Sequence, residues 1–172
     1  MKITVRRNKR AQRLLVIAGL VFIFTARPCA AKDAVLDSVK VLDGYSVRHE
    51  SAVDAVTWTI EKEGGLSIHF ESGLSEGLWA DPKAVDSYAW TRVQTVNGYK
   101  VLFALVKSGL RTRWEPKNSR GIPPGRILLV TFLLGGEQSF HTANFSAKIA
   151  SDQELADALL MVMTFDPSKG TF

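Results

Sequence analysis

The residues able to do chemistry are few. The chain holds three histidines, His49, His69 and His141. His69 and Glu71 stand two apart in a run whose apolar members are Leu66, Ile68 and Phe70. Side chains of an extended chain alternate between two faces, so His69 and Glu71 share the polar one. That spacing suits a pair of metal ligands, or a general base with an acid beside it. Either chemistry needs further convergent groups, which the linear sequence does not supply. Two polar residues on a solvated strand face are the simpler account, and His49-Glu50 offers less still. No catalytic residue, metal ligand or cofactor is assigned.

Gly73-Leu74-Ser75-Glu76-Gly77 has the Gly-x-Ser-x-Gly spacing of a nucleophile elbow. An elbow needs a buried strand before the serine and a helix after it. Leu78-Trp79 followed by Asp81-Pro82 makes a poor helix, so the match reads as a chance feature of a glycine-containing loop. Asn144-Phe145-Ser146 is a glycosylation sequon, set in a strand expected to be buried.

The strongest candidate contact is a loop at 107–125. It carries Arg111, Arg113, Lys117 and Arg120, opposed only by Glu115, and is punctuated by Pro116, Pro123 and Pro124. Irregular segments this long are uncommon inside compact domains. Arg111, Arg113 and Trp114 stand together, and arginine with tryptophan is favoured at binding hot spots. The loop would contact an acidic protein face or another anionic surface; the plainer alternative is a solvated connector. Trp79 is a second candidate anchor, or a plug in the core.

These residues must be held by a scaffold. Tyr45–His49, Val56–Glu61 and Leu66–Glu71 alternate apolar with polar, and Gly64-Gly65 turns the chain between the last two. Asp81-Pro82 opens a short helix to about Ser87, through an N-cap and a proline at the first helical position. Asn97-Gly98 joins Ala89–Val96 to Tyr99–Val106 as a hairpin. Tyr99–Val106 and Ile127–Leu134 are apolar on both faces, which places them inside a sheet covered above and below. Ser139–Ile149 extends again. Ser151-Asp152-Gln153-Glu154 is a capping box, followed by a stripe at Leu155, Ala158, Leu159, Val162 and Met163 that Asp166-Pro167 closes.

The start of the chain is different. Six basic residues precede the apolar run Leu14–Phe24, and Cys29-Ala30-Ala31 follows. This is the three-part layout of a secretory signal with cleavage after Ala31. The run is short of the ~20 residues a bilayer span needs, so no permanent span is expected. Ala26-Arg27-Pro28 before Cys29 is unlike a lipobox, and Arg6-Arg7 lacks the rest of a twin-arginine signal. Residues 1–31 hold seven of the 22 basic residues, none of the 17 acidic ones and the single cysteine. The remainder, 32–172, is expected to be one thiol-free domain with 15 basic against 17 acidic residues. That balance removes the basic face a nucleic-acid role would want.

Tyr45-Ser46-Val47 after a turn, Asn97-Gly98-Tyr99-Lys100-Val101, and Phe145 through Ala156 with Met163-Thr164-Phe165 together resemble the PsbP/Mog1-like group, over most of residues 40–166. The resemblance implies an antiparallel sheet covered by helices on both faces, in small exported proteins that bind or assemble. The expected fold is therefore α+β, with about six antiparallel strands after the signal peptide. The expected function is a non-enzymatic periplasmic or secreted domain that contacts a protein partner in an inhibitory, immunity-type or assembly role. The alternative is a small exported hydrolase or metal-dependent enzyme.

Overall fold

The computed structural model describes residues 37–50, 54–73, 77–108, 126–135 and 141–170, all within Lys32–Phe172, the second of two units into which the chain divides. The signal segment 1–31, Ser75, and the loop residues Arg111, Arg113, Trp114, Lys117 and Arg120 lie outside the described residues.

Seven strands form one antiparallel sheet. They are β1 (Ser46–Glu50), β2 (Val56–Glu61), β3 (Ser67–Gly73), β4 (Tyr88–Val96), β5 (Tyr99–Val106), β6 (Arg126–Leu133) and β7 (Thr142–Ile149). Their spatial order is β1-β2-β3-β7-β6-β5-β4. Two meanders, one of three strands and one of four, thus meet where β3 pairs with β7, and β1 and β4 are the edges. Local chemistry sets the turns. Gly64 takes φ +67 between β2 and β3, and Lys62 N–H closes that turn on Leu66 O at 3.0 Å. Asn97 and Gly98 both take positive φ, 49 and 86, the two-residue type I′ geometry whose twist matches its strands.

One face of the sheet is apolar across its central strands. Trp58, Ile68, Phe70, Leu105, Val130, Phe132 and Phe145 lie on it. Trp58 stacks on Phe70 with centroids 4.2 Å apart, and Phe145 meets Trp58, Phe70, Phe132 and Phe165 edge-on or tilted. Helix α1 (Asp152–Val162) covers this face with Ala158, Met161 and Val162. Met161 is buried where the sequence pattern expects Met163, which at the helical C-cap stays about half exposed because its direction around the axis lies well away from Ala158. The capping box forms with a one-residue offset. Ser151 Oγ accepts from Glu154 N–H at 3.2 Å, but the Glu154 carboxylate reaches back to Ala150 N–H at 2.7 Å. Beyond α1, Asp166 N–H donates to Ser38 O, and Asn97 Nδ2 donates to Phe165 O. These bonds tie the ends of the described domain to the β4–β5 turn.

The second face is covered differently. The helix expected from Asp81-Pro82 to Ser87 does not form as such. Asp81 Oδ1 accepts from Lys83 N–H at 2.8 Å, which makes a turn, and only Val85–Ser87 winds, as a 3-10 turn. The cap bond expected of Asp81 forms, but it is followed by a turn and a three-residue 3-10 segment in place of a helix. Among the described residues, this irregular segment 77–88 is what packs over β5 and β6, with Ala80 and Tyr88 against Leu102, Ala104, Val106, Ile127 and Leu129. No helix of the described residues is long and apolar enough to cross a membrane.

Candidate functional site

Strand register sorts the second face into two halves. One cross-strand row runs Arg48, Thr59, His69, Ser146 across β1, β2, β3 and β7, and continues as Leu129 and Ala104 on β6 and β5. The next runs Glu50, Thr57, Glu71, Asn144, then Thr131 and Leu102. The face therefore changes from polar to apolar across the β7–β6 seam.

His69 and Glu71 come together as their spacing requires, with Nε2 to Oε2 at 3.7 Å. The solvated surface expected around them is not found. Their side chains are only 25% and 20% exposed, and Trp79 lies flat against the His69 imidazole at 5.9 Å. Thr57 and Thr59, expected on an open strand face, are buried too. Thr59 Oγ1 donates to Glu50 Oε1 at 2.9 Å, and Thr57 Oγ1 to Glu50 O at the same distance. Arg48 sits outside them, paired with Glu50 at 3.3 Å and Glu61 at 3.7 Å. Ser146, the cross-strand neighbour of His69, is buried, and its hydroxyl has no hydrogen-bond partner. Serine, histidine and glutamate are the residue types of acyl transfer, but no hydrogen bond joins the Ser146 hydroxyl to His69. An enclosed hydroxyl is also poorly placed to meet a substrate. Among the described residues no group of three or more His, Cys, Asp or Glu could hold a metal ion.

Beside this row lies a buried network whose work is structural. Thr131 Oγ1 donates to Asn144 Oδ1 at 2.7 Å and accepts from Trp79 N–H and Ala80 N–H, both at 3.1 Å. Asn144 Nδ2 donates to Gly77 O at 3.2 Å and to Thr142 Oγ1 at 3.0 Å. Buried polar groups are costly unless paired, so this network fixes where 77–80 crosses the sheet. It also accounts for Trp79, which is 3% exposed and plugs the second face. Asn144 is fully enclosed, which denies a glycosyl donor access to its sequon in the folded chain.

The open site is on the other face, at the β4 edge. Trp90, Arg92 and Gln94 project there because they pair with Leu105, Phe103 and Val101, members of the apolar core face. Together with Phe103, Leu159 and Met163 they line a cleft of about 410 Å³ between β4 and α1. Val93, Leu160 and Met163 are exposed large apolar side chains nearby. Arg92 forms no ion pair among the described residues. The sequence reading missed this cleft. The available signal was an arginine and a tryptophan two apart in a strand that ends at a two-residue hairpin.

Of the other histidines, His49 pairs with Trp58 and so belongs to the face opposite His69. His141 precedes β7, where its carbonyl accepts from Leu134 N–H. At the β1 end of the apolar face, Tyr45 Oη donates to Asp157 Oδ2 at 2.8 Å, and Lys62 Nζ stands over the Tyr45 ring at 5.5 Å. Burial, and then the bond to Asp157, push the Tyr45 hydroxyl up to about 12. The same bond, with one from Gln153, holds the Asp157 carboxyl below its ordinary value. Burial also raises Tyr88, whose hydroxyl accepts from Asp81 N–H. No family model matches the chain, and neither a curated protein nor a solved structure matches it.

Proposed function

We propose that the chain is a non-enzymatic exported domain that binds a protein partner, in an inhibitory, immunity-type or assembly role. The observation that supports this most is the cleft of about 410 Å³ beside the edge strand β4, lined by Trp90, Phe103, Leu159 and Met163 with Gln94 and with Arg92, which forms no ion pair among the described residues. Export to the periplasm or beyond rests on the layout of residues 1–31 and their removal after Ala31. The resemblance to the PsbP/Mog1-like group, with its sheet between two helical layers, favours binding over catalysis. The loop 107–125, with Arg111, Arg113, Trp114, Lys117 and Arg120, is a second contact in this reading, toward an acidic protein face or anionic surface.

One observation favours the alternative, a small hydrolase: His69 and Glu71 at 3.7 Å with Ser146 across from them. Affinity capture of the tagged full chain from its own cells separates the two. The binding reading expects a recurrent protein partner, lost with Arg92→Glu or with the pair Arg111→Glu and Arg113→Glu, and unaffected by Ser146→Ala. A chain that captures no protein, and whose hydrolysis of a model ester is abolished by Ser146→Ala and by His69→Gln, would overturn it.

A further inference from the structure

We infer that β4 takes an extended segment of the partner protein as an added strand, and that this segment carries a large apolar side chain and an acidic side chain two residues apart. The inference rests on the binding reading and names the chemistry of its partner. It starts from the hairpin. Val96 and Tyr99 flank a two-residue turn, so they form a hydrogen-bonded pair. Pairs alternate along an antiparallel ladder, which makes Thr95↔Lys100, Val93↔Leu102 and Thr91↔Ala104 the non-bonded ones. The backbone N–H and C=O of Thr91, Val93 and Thr95 therefore point outward, away from β5. Among the described residues no strand pairs with this edge, which leaves an open template along Thr91–Thr95.

The side chains between them set the specificity. Trp90, Arg92 and Gln94 turn to the cleft face, so an added strand would lay every second side chain beside them and against Leu159 and Met163. Trp90 and Arg92 are neighbours on that face. A strand opposite them meets an apolar surface at one position and an unpaired guanidinium two residues along, which calls for an apolar residue and a carboxylate at that spacing. A second copy of the chain fits less well. A two-fold pairing of β4 about Val93 would set the two Arg92 side chains on one face, a diagonal step of ~7–8 Å apart.

The test is photo-crosslinking of the full chain in its own cells, with a photo-reactive phenylalanine at Val93 and, separately, at Arg48 on β1. Both positions are exposed, so neither substitution disturbs the core. The inference expects crosslinks at Val93 to a partner segment in which an apolar and an acidic residue alternate two apart. With Arg92→Glu added, crosslinking should fall about tenfold, the effect of exchanging an attraction for a repulsion at a partly exposed pair. Crosslinks from Val93 to a second copy, to lipid, or to a segment without that acidic spacing would overturn it. Capture of a protein from Arg48 and not from Val93 would overturn it too, yet leave the binding reading standing. Capture of no protein from either position would remove both.

Discussion

The two edges of this sheet are built to opposite effect. β1 has five residues, and its central Arg48 is engaged with Glu50 and Glu61. β4 has nine, with a register shift only at its start, between Tyr88 and Trp90, and an arginine that is paired with nothing described. Proteins blunt exposed edges with shortness, charge and bulges. β1 uses the first two. β4 keeps its length, and its one charge stands beside a cleft. The difference teaches that β4 offers a longer edge with an uncommitted charge, whereas β1 is short and its arginine is already engaged.

The comparison assumes one cooperative sheet, and the largest effect tests that. Phe145 on β7 sits at the seam between the two meanders, in contact with Trp58, Phe70, Phe132 and Phe165. Phe145→Ala should cost ~3–5 kcal/mol, and both edges should unfold in one transition. Separate melting of the two halves by urea titration would break the comparison. Next comes Asn144→Ala, which strips the network under residues 77–80: the buried Thr131 hydroxyl loses its acceptor, and Gly77 O and Thr142 Oγ1 each lose a donor. A loss of ~2 kcal/mol is expected, with a changed emission from Trp79. An unchanged melting curve would mean that the segment is held by packing alone.

Smaller effects sharpen the contrast. Arg92→Glu should leave stability within ~0.5 kcal/mol of wild type while losing the partner. If Arg92 only keeps the edge from aggregating, the reversed charge would do as well and partner capture would not change. Val93→Pro removes an outward N–H without touching the β4–β5 ladder, so it should spare the melting temperature and abolish capture. The smallest effect is at the β1 end. Folded Tyr45 keeps its proton to about 12, whereas the unfolded side chain releases it near 10. The folded state thus binds more protons in that window, so stability falls as pH rises from 10 toward 12. Asp157 has the opposite sign: its lowered folded value gives stability present above its unfolded value of 3.8 and lost as pH falls through the folded one. Tyr45→Phe should flatten the alkaline limb and weaken the acid one, since folded Asp157 moves back toward its unfolded value; an unaltered profile would show that the bond carries no linkage.

Much of the frame was legible in the residues. Period-two runs around Gly64-Gly65 and Asn97-Gly98 mark four strands and their turns, because each turn needs positive φ that glycine and asparagine supply. The doubly apolar runs at Tyr99 and Ile127 mark strands inside the sheet, and β5 and β6 are indeed flanked on both sides. The capping box at Ser151 marks the start of α1. What was not legible depends on contacts distant in sequence. His69 looks solvated until Trp79, ten residues on, sets its ring parallel to the imidazole. Asp81-Pro82 has the chemistry of a helix start, but the segment is pinned by Thr131 and Asn144 before a helix can extend. Arg92 reads as an ordinary surface charge until the strand order shows that, among the described residues, β4 has no neighbour on its outer side.

The claim that β4 is the receptive edge is tested most directly by residue-resolved amide hydrogen exchange of the full chain. A nine-residue peptide alternating threonine with Val, Leu, Glu and Val serves as the added strand. The account predicts that Thr91, Val93 and Thr95 exchange fast in the free chain, while Arg92 and Gln94 are protected. It predicts that the peptide then slows the first three and leaves β1 unchanged. Thr91, Val93 and Thr95 already protected in the free chain, or slowed exchange on β1 in place of β4, would contradict it.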